Sequence, residues 1–255
     1  MSSASQERPS LIFVHGAFCG GWAFERFTGP FEAAGYHCRA PHLRGHAPLA
    51  TRHNVAACSM SDYAQDIADL VRAEPRPPIL IGHSLGGLVV QMAAQRAPVA
   101  GLALLAPSAP WGVSGSSFSE AISAASIMAL GPFPNQAVDP DHRLAELYSL
   151  DRVPAAERPA MFERMRPESG RALWETLTWF LDPFMTTQVS PAAIKVPVFA
   201  AAGGADMVNP PATVTQTAER IGGKVVTFPG MSHWLIGETG WEAVAKAVLD
   251  WVEAR

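Results

Sequence analysis

Residues 77–96 carry the strongest constraint on how this chain can fold. Pro77-Pro78 is followed by the apolar run Ile79-Leu80-Ile81, then by Gly82-His83-Ser84-Leu85-Gly86-Gly87, then by an apolar stretch that reaches Arg96. A short run of β-formers without polar alternation is the mark of a strand buried on both faces, as in a parallel sheet. Turning from that strand into a helix within a few residues needs small neighbours, because side chains at Gly82 and Gly86 would collide across the bend. Similar units surround this one. Leu11–Val14, Tyr36–Ala40 and Leu102–Leu105 are strand-like, and helices are expected over Trp22–Ala34, Ser61–Ala73 and Leu85–Arg96. Strand–helix alternation of this kind predicts a parallel sheet with helices on both faces.

Local signals set the expected boundaries. Gly29-Pro30 should kink or split the first helix. Ser61 or Asp62 is suited to cap the second, whose Ala64, Ile67, Ala68 and Val71 form an apolar stripe. After the fourth strand the alternation stops. Between Trp111 and Pro191 no convincing strand is present, and helical segments are expected at Phe118–Leu130, Asp141–Leu150, Ala155–Arg164 and Arg171–Leu181. The chain therefore reads as a core of residues 1–110 and 191–255, with residues 111–190 inserted as a helical cap. The core resumes with a strand at Val196–Ala201, a helix at Thr213–Ile221, a strand at Lys224–Phe228 and a helix at Gly240–Glu253. The stripe Trp241, Val244, Val248 and Trp251 is assigned to core packing.

Composition excludes several classes. The 255 residues are 48% hydrophobic and 16% charged, which is enough apolar material for a sizeable core and unlike a disordered chain. The net charge is -4 with no block of like charge, so neither nucleic acid nor an anionic membrane is expected as a partner. Three cysteines fit neither a disulfide framework nor a zinc pattern. The polar opening MSSASQERPS lacks the apolar centre of a secretory leader, and no apolar run reaches the ~18 residues of a membrane span. The expectation is a cytoplasmic protein. Gly16, Gly20 and Gly21 do not fit a dinucleotide fingerprint, and no phosphate-loop lysine exists, so no cofactor is expected. His42, His46 and His53 lie in a loop without an acidic residue to complete a metal site, and no metal is expected.

The chemistry centres on Ser84. Gly82-His83-Ser84-Leu85-Gly86 fits G-x-S-x-G in its required setting, between strand and helix. A serine there stands at the carboxyl edge of the sheet and at a helix amino terminus, which favours a developing anion. A hydroxyl needs a base, and His233 follows the last strand on the same edge. Asp206 follows the preceding strand and supplies the carboxylate that would orient the imidazole. An oxyanion hole requires two N–H donors. Leu85 supplies one, and the loop His15-Gly16-Ala17-Phe18 the other, with Ala17 the choice and Phe18 the alternative. Phe18, Cys19, His83, Met207 and Trp234 are expected to line a pocket suited to an apolar or aromatic group.

Leu11–Trp22, Arg44-Gly45-His46, Gly82–Gly87, Gly203–Asp206 and Gly230–His233 resemble the α/β-hydrolase superfamily. The opening HGAFCGGW is similar to its compact esterase and hydroxynitrile lyase branch. The resemblance implies an α/β-hydrolase fold with a mostly parallel sheet of about six strands, and it strengthens Ala17 and Leu85 as the oxyanion donors. It implies cofactor-independent cleavage of a carboxylic ester, or a lactone, through an acyl-enzyme on Ser84. Other members run hydroxynitrile lysis, C–C bond hydrolysis or cofactor-free haloperoxidation, or keep the triad as ligand-binding receptors. A lyase of this branch would place a lysine near the histidine, and Lys195, Lys224 and Lys246 are all poorly placed for it. The partner is then a small-molecule ester. Oligomeric state, a homodimer included, is not readable from the sequence.

Overall fold

The computed structural model describes residues 8–131 and 133–255. Most of the polar opening, residues 1–7, lies outside the described residues. Strand β1 (Leu11–Val14) leads through a 3-10 turn (Gly21–Phe24) and helix α1 (Gly29–Ala33) to β2 (Cys38–Arg39). Helices α2 (Arg52–Ala56) and α3 (Met60–Arg72) precede β3 (Ile79–His83), α4 (Leu85–Ala94) and β4 (Gly101–Leu105). The segment between β4 and β7 follows, with α5 (Phe118–Met128), β5 (Ala137–Val138), α6 (His142–Leu144) running into a π-turn (Ala145–Ser149), α7 (Arg158–Arg164), β6 (Glu168–Ser169) and α8 (Gly170–Leu177). The core closes with β7 (Val198–Gly203), α9 (Pro211–Glu219), β8 (Lys224–Phe228) and α10 (Trp241–Glu253).

Among the described residues the main sheet has six strands in the order β2-β1-β3-β4-β7-β8, and every pairing is parallel. The α/β-hydrolase fold expected from the sequence is therefore present. The central strands are buried along their whole length, and their side chains divide by parity. Ile12, Val14, Leu80, Leu102, Leu104 and Ala200 pack with α3, α4 and α9. Leu11, Phe13, Ile79, Ile81, Leu105 and Phe199 pack on the other face with Phe24, Phe27, Phe31 and the α10 residues Val244 and Val248. Two cores thus hold one sheet between them, the arrangement that a doubly covered parallel sheet requires.

Several expectations need correction. Of the two outcomes open to the stretch Trp22–Ala34, a kink does not occur: a 3-10 turn ends at Phe24 and a new helix starts at Gly29. Helix α3 is capped by Ser59, whose Oγ accepts from the Asp62 N–H at 3.0 Å while Asp62 Oδ2 accepts from the Ser59 N–H at 2.9 Å. That reciprocal box outcompetes a cap at Ser61 or Asp62. The cap is not purely helical. Strands β5 and β6 pair antiparallel, Ala137 with Ser169 and Val138 with Glu168. Two-residue strands leave no periodicity in a sequence. The second expected cap helix is mostly π-turn, and the fourth ends at Leu177 before a 3-10 turn.

The turn after β3 is as tight as its glycines suggest. A Cβ on Gly82 would lie 2.4 Å from the Gly86 carbonyl oxygen, and a Cβ on Gly86 would lie 2.2 Å from that of Val14. Gly86 is therefore needed less for the bend itself than for the approach of α4 to β1. Gly86→Ala must push the first turn of α4 off the sheet. It is expected to lower stability by about 2–3 kcal/mol, measurable as a fall in the urea midpoint at unchanged m-value.

Candidate active site

Ser84 sits on the bend between β3 and α4 at φ 52, ψ -123, a conformation that L-residues rarely adopt. Such strain costs on the order of 1–3 kcal/mol and persists only where its surroundings hold it. Here the Ser84 N–H donates to the Leu105 carbonyl at 3.0 Å. The Ser84 carbonyl accepts from Gly87 at 2.8 Å and from Ser108 at 2.9 Å. The side chain is thereby aimed out of the sheet's carboxyl edge, although the residue is only 8% exposed.

Two loops bring partners to it. His233 Nε2 lies 3.0 Å from Ser84 Oγ, and His233 Nδ1 lies 2.9 Å from Asp206 Oδ2. Asp206 is itself fixed, because its Oδ1 accepts from the N–H groups of Val208 at 2.7 Å and Asn209 at 2.9 Å. One carboxylate oxygen thus caps the following turn while the other meets the imidazole. With Nδ1–H donated to the carboxylate, Nε2 is left as an acceptor facing the serine hydroxyl. Asn209 was missed by the sequence reading. Its Nδ2 donates to the Ala106 carbonyl at 2.8 Å and ties the acid loop to the end of β4.

On the other side of Ser84 the loop after β1 lies close. A Cβ on Gly16 would stand 3.0 Å from Ser84 Cβ, so a side chain there would push the loop and Ser84 slightly apart. Leu85 begins α4, where an N–H has no preceding carbonyl to pair with. Of the two candidates in the β1 loop, the Phe18 N–H donates to Glu168 Oε2 at 3.3 Å, while the Ala17 N–H pairs with no backbone carbonyl among the described residues.

Besides His233, four histidines on or behind these loops differ in their surroundings. His83 Nε2–H donates to the His233 carbonyl at 2.9 Å and braces the loop that carries His233. Burial, with His233 beside it, pushes the pKa of His83 down to about 3. His15 donates from Nδ1 to the Gly16 carbonyl at 2.9 Å and accepts from the Leu43 N–H at 3.0 Å; burial likewise pushes its pKa down to about 3. His46 differs. Its Nδ1 faces the Arg44 carbonyl and its Nε2 faces Glu168 Oε2, both at 3.1 Å. Two acceptors on one ring require the imidazolium, and the Glu168 carboxylate holds its pKa above the usual value against the opposing effect of burial. His42 accepts from the Gly21 N–H at 3.3 Å, and among the described residues no group of three or more potential ligands is placed to hold a metal.

The cavity above Ser84 has a volume of about 100 Å³. Phe18, Cys19, His83 and Trp234 line it. Met207 does not; Val208 takes that place, and Met207 instead offers its carbonyl to Ser123 Oγ at 3.0 Å. The cap contributes Ile127, Leu130, Leu144, Tyr148 and Met165. Burial pushes the Cys19 thiol pKa far up, so it is no nucleophile near neutral pH. No lysine lines the cavity among the described residues.

Glu238, just past His233, is fully buried. Its Oε1 accepts from the Ser232 N–H at 2.7 Å, whereas Oε2 has no hydrogen-bond partner. Burial pushes the carboxyl pKa up to about 7, with Asp151 adding to the effect. The folded state therefore holds a proton that the unfolded chain releases above its ordinary value of about 4.5. Stability from this group falls as pH rises from about 4.5 to 7 and is level above. Glu238→Gln removes that slope. Urea titrations at pH 5 and pH 8 should show the variant gaining on the natural protein by on the order of 2–3 kcal/mol across the interval.

Comparisons with known proteins agree with this architecture. The profile of the Alpha/beta hydrolase family matches residues 11–247. A pyrethroid hydrolase of Sphingobium wenxiniae is 37% identical over 97 residues, a match covering 37% of this chain and 34% of that protein. Methylesterase 3 of Arabidopsis thaliana is 29% identical over 98 residues, covering 38% of this chain and 37% of that one. These sequence matches thus span about a third of each relative. The structural matches run the full length. A pyrethroid hydrolase from Sphingobium faniae superposes with a TM-score of 0.75 at 25% identity, over 96% of this chain and 98% of that one. A methylesterase from Arabidopsis superposes with a TM-score of 0.74 at 18% identity, over 97% and 100%. With the profile covering nearly the whole chain and the fold shared end to end, this protein belongs to the α/β hydrolase family.

Proposed function

We propose that the chain is a serine hydrolase of carboxylic esters with an apolar or aromatic part. The observation that carries this reading is the unbroken relay from Asp206 Oδ2 through both ring nitrogens of His233 to Ser84 Oγ, at 2.9 and 3.0 Å. Such a chain lets the imidazole take the hydroxyl proton as Oγ adds to the ester carbonyl carbon. The carbonyl oxygen becomes an alkoxide, bound by the N–H groups of Ala17 and Leu85. Collapse expels the alcohol, which takes the proton back from His233 and leaves an acyl group on Ser84. Water, activated by the same imidazole, then adds to the acyl carbon and releases the acid. Asp206 stays ionised throughout and stabilises the imidazolium. Relatives named pyrethroid hydrolase and methylesterase support ester chemistry on this scaffold. The substrate is a small molecule, since the nucleophile lies at the base of a narrow cavity under the cap.

Hydrolysis of p-nitrophenyl esters from acetate to decanoate tests the reading. Ser84→Ala should lose activity by about 10⁴-fold or more while keeping its melting temperature, and an organophosphonate should add to Ser84 in the natural protein alone. Undiminished turnover in Ser84→Ala would sink the mechanism.

The wall of the cavity gives a second test. Ile127, Ser123 and Val208 also line a neighbouring cavity of about 440 Å³ that reaches Ser108 and Trp179. Ile127→Ala removes part of the partition. The optimum of the ester series should move to longer acyl chains, with kcat for the acetate changed less than threefold or so, as expected when only apolar wall contacts are lost.

A further inference from the structure

Phe18 is gripped by the cap through both of its backbone groups. Its carbonyl accepts from the Arg166 N–H at 2.9 Å, and its N–H donates to Glu168 Oε2 at 3.3 Å. The residue stands at φ 62, a left-handed conformation that a phenylalanine adopts only when held. Glu168 is 0% exposed, and donors surround it: Tyr63 Oη–H and the Ser169 N–H on Oε1, each at 2.7 Å, and His46 Nε2–H on Oε2 at 3.1 Å. A buried carboxylate next to a developing alkoxide would oppose the reaction, but the His46 imidazolium balances its charge. Nothing in the triad needs this cluster, yet it sits against the loop that follows β1.

We propose that Glu168 is the positioning residue of the oxyanion hole: by binding the Phe18 N–H it turns that group away from Ser84 and leaves the Ala17 N–H as the loop's donor to the alkoxide. This rests on the ester-hydrolase reading above. The cap thereby supplies part of the catalytic geometry as well as the cavity wall. In Glu168→Gln one oxygen replaces two. Either Phe18 or the Tyr63 side loses its acceptor, and the loop is free to rotate about the peptide between Ala17 and Phe18. The alkoxide loses an aligned donor, whereas the bound ester, which carries no full charge, does not.

The test compares Glu168→Gln with Tyr63→Phe, which removes a donor from the far side of the same carboxylate. A trifluoromethyl ketone is the probe, since Ser84 Oγ adds to its carbonyl carbon, His233 takes the proton and the oxygen becomes an alkoxide in the hole. Glu168→Gln should lower kcat about 10- to 100-fold, leave KM within about twofold, and weaken the ketone at least tenfold. Tyr63→Phe should lower the melting temperature yet leave ketone affinity within about twofold. Should Glu168→Gln fail to fold, Glu168→Gln combined with His46→Gln leaves no buried charge unpaired and should show the same split. Unchanged ketone affinity in the Glu168 variants, or an equal loss in Tyr63→Phe, overturns the assignment. A natural protein that neither cleaves esters nor binds the ketone overturns the hydrolase reading, and the assignment with it.

Discussion

Gly86 lets the first turn of α4 rest on the carbonyls of Val14 and His15, and the site depends on that approach. A single Cβ there would meet backbone oxygen at 2.2 Å, so no side chain fits between helix and strand. The contact sets the spacing between two otherwise separate loops. One carries Ser84 and the Leu85 N–H; the other carries Gly16, Ala17 and Phe18. Because β1 and β3 are hydrogen-bonded neighbours in register, Val14 beside Gly82, both loops leave the sheet at the same level. Asp206 and His233 follow β7 and β8 at that same edge. A parallel sheet delivers all four loops to one side, and the glycine closes the last few ångströms.

Three buried carboxylates around this point meet burial in three ways. Asp206 is held by two backbone N–H groups and a histidine ring. Glu168 is balanced by an imidazolium and held below the ordinary carboxylate pKa, the His46 charge and hydrogen bond outweighing burial. Glu238 has one N–H donor and an oxygen facing nothing, and it keeps its proton instead. Burial alone would push Glu168 and Glu238 the same way; the His46 charge and the extra donors at Glu168 separate them.

The strand–turn–helix around Ser84 was legible because its signal is local: an apolar run, small residues at fixed offsets, then a second apolar run. The strands β3, β4 and β8 were legible for the same reason, and the order Ser84, Asp206, His233 followed from their placement after strands. What the sequence did not reveal is held by distant partners. Glu168 meets Tyr63 and His46, 105 and 122 positions away, and nothing in Arg166-Pro167-Glu168 announces a buried acid. His46 read as a loop residue, since its partner lies across the fold. Met207 was expected at the cavity, but the Asx turn at Asp206 brings Val208 there instead, and no sequence signal marks which residue after the aspartate faces inward.

The segment between β4 and β7 is stitched to the rest of the fold on both flanks. On one, Arg166 and Glu168 hold Phe18, and Ser169 Oγ donates to the Cys58 carbonyl at 2.5 Å. On the other, Ser123 donates to the Met207 carbonyl, and Ser116 and Glu120 meet Thr213 Oγ1 at 2.7 and 2.8 Å. Swinging this segment away from the sheet would break hydrogen bonds on one flank or the other, so the smaller rearrangement open to the cavity wall is a turn of side chains such as Leu130 and Tyr148.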